Sequence, residues 1–115
     1  MINVYFTAST SFDGKYLENY KKILDFLSSL GCNIISGRQI VDKKMLKLDK
    51  KLTKQQIFER ETERITRADC VIAEVSHPSH GVGAEIIHAL NLNKPVLGLV
   101  YKDMENKISP IIEGN

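Results

Sequence analysis

The sequence predicts an α/β domain built on a parallel sheet with helices on both faces. Three observations carry that expectation. Short apolar runs alternate along the 115-residue chain with segments whose apolar residues recur at helical spacing. The run Cys70-Val71-Ile72-Ala73 is apolar throughout, as a strand covered on both faces requires. A turn rich in Ser, Pro and Gly then leads into a helix, the arrangement by which α/β folds offer free backbone N–H groups to a ligand.

The elements follow in order. Ile2 to Ala8 reads as the first strand, Val4 and Phe6 alternating with Asn3, Tyr5 and Thr7, and Ser9 to Gly14 as a polar loop. From Lys15 to Leu30, residues such as Leu17, Tyr20, Leu24 and Leu27 mark one helical stripe, which Gly31 closes. Cys32 to Ser36 is a second strand, broken by Gly37. Arg38 to Leu52 has no clean period and many lysines, so it reads as a mobile loop. Thr53 and Gln56 form a capping box that opens a second helix, which runs to about Arg67. Its stripe is Ile57, Phe58, Ile65 and Ala68, with Glu61 in the middle. A third helix is expected from about Val82 to Leu92, with Asn93 as its C-cap and Glu85 in its first turn. Pro95 to Val100 is apolar enough for a central strand, and Ser109-Pro110 opens a last turn that Gly114 and Asn115 end. Such a fold usually adds another strand and helix, so a further C-terminal segment is expected.

Bulk properties bound the function. The chain fits one domain, residues 1–115, with 43% hydrophobic and 26% charged residues. A net charge of +2 gives no electrostatic case for a nucleic-acid polymer. The lysines between Lys43 and Lys54 are interleaved with Asp42 and Asp49 and lack aromatics, which reads as a solvated loop. Cys32 and Cys70 have neither metal nor disulfide spacing, and His77 and His80 lack a third ligand. No metal and no cofactor is expected. No run reaches membrane length and no leader pattern opens the chain, so a cytoplasmic protein without a membrane partner is expected.

Two carboxylates carry the chemistry. Glu85, near a helix N-terminus, would be stabilised as an anion and suits a nucleophile; ordinary compensation of the helix dipole is the bland alternative. Glu61, on an apolar stripe, would have its pKa raised toward a proton-donor role; an internal pair with Arg38 or Arg64 is the competing reading. Two carboxylates in opposed environments form the pair that glycoside cleavage uses. Gly81 and Gly83 allow a sugar or phosphate close to the backbone.

The string ADCVIAEVSHPSHGVGAE, together with Tyr5, Ser9 and the Ile108–Ile112 segment, resembles the nucleoside 2-deoxyribosyltransferase superfamily. It looks closest to the branch of 2′-deoxynucleoside 5′-phosphate N-hydrolases. The resemblance implies a flavodoxin-like fold, homodimers, and Glu85 as the nucleophile that attacks the anomeric carbon. It also implies that Glu61 takes the place of the family's acid, that Ser79 and Gly81 hold the sugar or its phosphate, and that Ser9 contacts the phosphate. Ser109 matches a serine that reaches the neighbouring subunit's site. Two positions depart from the pattern: Glu61 stands where the family has Asp, and Ser11 where the hydrolase branch has arginine. A free nucleoside and a 5′-monophosphate therefore both remain open as substrates. So do two other functions, nucleotide binding without turnover and a glycohydrolase acting on an NAD-type dinucleotide.

Overall fold

Alternation along the first strand organises the molecule. The computed structural model describes residues 1–10 and 13–114. Within them four parallel strands, β1 (Asn3–Ala8), β2 (Asn33–Ser36), β3 (Cys70–Glu74) and β4 (Val96–Leu99), lie in the order β2-β1-β3-β4. This is a flavodoxin-like sheet. Val4, Phe6 and Ala8 point to one face, where they pack with Tyr20, Leu24 and Leu27 of α1 (Leu17–Ser29). Tyr5 and Val71 point to the other, against Ile65 of α4 (Lys54–Arg67) and Ala89 of α5 (His80–Asn91). The period of two thus sends Tyr5 and Thr7 toward α4 and α5.

Several sequence expectations are corrected. Arg38 to Leu52 is not a structureless loop: it forms α2 (Arg38–Val41) and α3 (Lys43–Asp49). Asp42 caps α3 by accepting from the backbone N–H groups of Lys44 and Met45 at 2.9 and 3.2 Å, while Ile40 and Val41 pack against the α1 core. The cap was hidden among lysines. Asp49 then accepts a bidentate pair from Arg60 at 2.7 and 2.9 Å, which clamps the end of α3 to α4. The pair holds the Asp49 carboxyl below the usual carboxylate range.

The third strand–helix connection also shifts. Ser79, rather than a residue nearer Val82, is the N-cap of α5, its hydroxyl accepting from Val82 N at 3.3 Å. Glu85 therefore stands in the second turn, beyond the reach expected of the helix N-terminus. Among the described residues β4 comes last in the strand order, and its Leu97 is 56% exposed. Asn93 does take the left-handed conformation of a helix-terminating residue, φ 58°. Pro110 opens α6 (Pro110–Glu113), but the Ser109 side chain makes no capping bond there. Glu74 is fully buried at the end of β3. It accepts from Ser76 N at 2.7 Å, Ser76 Oγ at 2.8 Å and Asn19 Nδ2 at 3.0 Å, which fixes where the chain leaves the strand. Among the described residues no helix is long and apolar enough to cross a membrane.

Candidate active site

The alternation of β1 places two hydroxyls beneath α4 and α5. The Tyr5 hydroxyl hydrogen-bonds Glu61 Oε2 at 2.8 Å and also Glu85 Oε2, and Thr7 Oγ1 donates to Glu85 Oε1 at 3.0 Å. Tyr5 is 1% exposed. One phenol carries one proton, so with both carboxyls ionised only one of the two Tyr5 bonds can be made. A proton retained on Glu85 completes both.

The electrostatics lean the same way. Burial raises the Glu85 carboxyl above its ordinary range and the neighbouring Glu61 charge raises it further, while the bonds from Tyr5 and Thr7 pull it back. Burial and both carboxylates push the Tyr5 phenol up, so it remains protonated. The expectation of a Glu85 held as the anion by the helix dipole is thereby overturned: it sits too far along α5, and desolvation dominates.

Glu61 sits in an ion pair. Its Oε1 accepts from Arg60 at 2.8 Å and Arg64 at 3.1 Å, and its Oε2 accepts from Tyr5 and, at 2.9 Å, from Ser36. Arg38, the other partner considered from sequence, instead donates to Ser28. Arg60 joins Asp49 of α3 to Glu61, so the helix read as a loop is wired to the carboxylate cluster. Sequence inspection missed Thr7, Arg60 and Asp49; the alternation of β1 contained the signal for Thr7.

Above these groups lies a cavity of about 340 Å³, lined by Tyr5, Thr7, Ser79, Gly81 and Glu85 and roofed by Leu46 of α3. A Cβ at Gly81 would stand 3.8 Å from Glu85 Oε1, so the glycine keeps the space beside the carboxyl open. The other predicted residues are more scattered. Ser9, 7% exposed, lines an adjoining cavity. Gly83 lines a groove on the far side of Glu85, and Ser109 is exposed and borders none of these spaces. Ser11 lies outside the described residues. Among the described residues no three His, Cys, Asp or Glu side chains are grouped as metal ligands.

The sequence profile of the nucleoside 2-deoxyribosyltransferase family matches residues 4–109. The chain belongs to that family. A Thermofilum pendens protein named "Putative 2′-deoxynucleoside 5′-phosphate N-hydrolase 1" is 34% identical over 113 residues, which cover 98% of this chain and 78% of the relative. The 5-hydroxymethyl-dUMP N-hydrolase of Danio rerio is 29% identical over 113 residues, again 98% of this chain and 78% of the relative. The solved 2-deoxyribosyltransferase of Bacillus psychrosaccharolyticus superposes with a TM-score of 0.72 at 18% identity, covering 96% of this chain and 79% of that one. That likeness shows the fold.

The raised Glu85 carboxyl makes a stability prediction. A native state that holds this proton more tightly than the unfolded chain loses stability as pH climbs from the ordinary carboxylate range through the raised value. Glu85→Gln removes the ionisable group, so the variant should be more stable than the wild type at pH 8, with the difference shrinking toward pH 4. Thermal melts across that range check it; a less stable variant at pH 8 contradicts the burial account.

Proposed function

We propose that this chain cleaves the N-glycosidic bond of a 2′-deoxynucleoside or its 5′-monophosphate through a covalent glycosyl-Glu85 intermediate. The family and its named relatives supply the reaction class, an enzyme acting on N-glycosidic bonds. One observation supports the mechanism: Glu85 stands at the cavity floor with both oxygens held by Tyr5 and Thr7. Once Glu85 has lost its proton, one oxygen attacks the anomeric carbon. The carbon–nitrogen bond breaks, its electron pair leaves with the base, and the base takes up a proton. Water then attacks the same carbon, releasing the sugar and regenerating Glu85. Another base in place of water makes the reaction a transfer.

The two carboxyls lie close together. Two oxygens that reach one hydroxyl lie no more than about 6 Å apart, so a charge on Glu61 is felt at Glu85. With its oxygens occupied by two guanidiniums and two hydroxyls, Glu61 acts in this reading as a positioning residue that orients Tyr5.

We also propose a homodimer. The groove behind Glu85, about 1010 Å³, is walled by Phe58, Ile87, Leu90 and Ile111 and reaches Glu61 and Glu85 themselves. Phe58 is 67% exposed and Ile111 77%. An apolar face this broad that opens onto a reactive carboxyl needs a cover, and a second copy supplies one. Ser109, exposed beside α6, is then placed to approach the neighbouring copy.

Incubation with a panel of deoxynucleosides and their 5′-monophosphates should release free base. Activity should rise with pH as Glu85 ionises and be lost, by about 10³-fold or more, in Glu85→Ala. No free base between pH 5 and 8, or an active Glu85→Ala, sinks the reading. For Glu61 the decisive comparison is the leaving group. Glu61→Gln should lower kcat by about tenfold or more on a natural base and on an aryl deoxyriboside alike; a loss confined to natural bases would make Glu61 the proton donor. Sedimentation should give a dimer that Phe58→Asp dissociates; a strictly monomeric wild type rules it out.

A further inference from the structure

Arg60 takes no step in the proposed chemistry, yet it stands in the cavity wall between two carboxylates, Asp49 and Glu61. Neighbours one residue apart on a helix point about 100° away from each other, so Arg60 and Glu61 of α4 do not meet by default. Asp49 supplies what the helix does not. Its two oxygens accept from Nη1 and Nη2 of Arg60 at 2.7 and 2.9 Å, while Nε and Nη2 of the same guanidinium donate to Glu61 Oε1 at 3.1 and 2.8 Å. A planar fork that meets two carboxylates at once cannot turn away from either. The aim of Arg60 is therefore set from α3. Glu61 is divided in consequence. Arg60 and Arg64, the latter at 3.1 Å, occupy Oε1, which leaves Oε2 for Ser36 at 2.9 Å and for Tyr5 at 2.8 Å. That phenol is the one that also meets Glu85.

The titratable and charged groups around Glu85 come from every element that borders it. They are Tyr5 of β1, Arg60, Glu61 and Arg64 of α4, Asp49 and Lys50 at the end of α3, and His80 and His88 of α5 itself. The Glu61 charge opposes ionisation of Glu85, and Arg60 offsets part of that charge. Without Arg60, Glu61 would keep Arg64 and Ser36, and its less compensated charge would bear harder on Glu85. We propose that Arg60 is a positioning residue for the glycosidic reaction: clamped by Asp49, it turns Glu61 toward Tyr5 and offsets the charge that keeps Glu85 from becoming the attacking anion. Only the kinetic consequence rests on the N-glycosidase reading, because the ionisation of Glu85 is measurable without turnover. The two ends of the clamp have opposite charge. Losing either one frees α3 from α4, but only the loss of Arg60 exposes Glu85 to more negative charge.

That difference makes the test. The whole chain is isotope-labelled at its glutamate carboxyl carbons, the Glu85 signal is identified by its absence in Glu85→Gln, and its ionisation midpoint is followed by NMR. R60Q should raise the midpoint by about half a pH unit or more, whereas D49N should lower it or leave it within about 0.2 unit. R60K keeps the charge without the planar fork and should stay nearer the wild type than R60Q does. With a deoxynucleoside or its monophosphate, the rising limb of kcat against pH should move up with the midpoint in R60Q, which lowers kcat at pH 6 about threefold or more. In D49N kcat should fall with no upward movement of that limb, because Arg60 has lost its aim and not its charge. A midpoint that stays put in R60Q, or that rises equally in R60Q and D49N, overturns the proposal and makes the clamp a structural tie between α3 and α4. The expected NMR shifts without release of base from any deoxynucleoside or monophosphate would instead overturn the glycosidase reading and leave the hold of Arg60 on the Glu61–Glu85 pair standing.

Discussion

Everything at the site depends on a single phenolic proton shared between two carboxyl groups. Tyr5 can meet Glu61 and Glu85 together only because β1 alternates strictly, sending Tyr5 and Thr7 to the face that α4 and α5 cover. Like charges this close resist ionising together, and burial adds to the penalty. The fold answers asymmetrically: Arg60 and Arg64 neutralise Glu61, whereas Glu85 has only neutral donors. In the proposed mechanism this asymmetry makes Glu85 the reactive member, a buried carboxyl whose proton must leave before it attacks.

The second consequence concerns α3. Arg60 reaches Glu61 and, through a bidentate pair, Asp49, so the helix that roofs the cavity is tied to the same cluster. Leu46 of α3 lines the cavity beside Glu85, and Lys43 lines the adjoining one. A basic segment that looks merely solvated in one dimension becomes, once capped by Asp42 and clamped by Asp49, an ordered wall of the cavity.

Much of this was legible in the sequence and some was not, for identifiable reasons. The strands, the capping box at Thr53 and the helical stripe of α1 stood out because each is local and periodic. The motif around Glu85 carried the family and the nucleophile candidate. The environment of Glu85 did not follow, because a two-residue error in the start of α5 changes which force dominates, dipole or burial. Helices α2 and α3 were hidden because they are four and seven residues long and their stabilising contacts, Asp42 to its own helix and Asp49 to Arg60, have no periodic signature. Glu61 was legible as an unusual residue, and its pair with Arg64 as one of two readings. Arg60 as its second partner required the tertiary fold.

The central claim is that Glu85 becomes covalently glycosylated. It is tested most directly by rapid quench of the enzyme with a slowly turned-over 2′-fluorinated arabinosyl nucleoside 5′-monophosphate, followed by intact-mass measurement and peptide mapping. The account predicts a transient sugar phosphate adduct on the peptide that contains Glu85, absent in Glu85→Gln. Base release that proceeds with no adduct at any quench time, or an adduct on another residue, would contradict it.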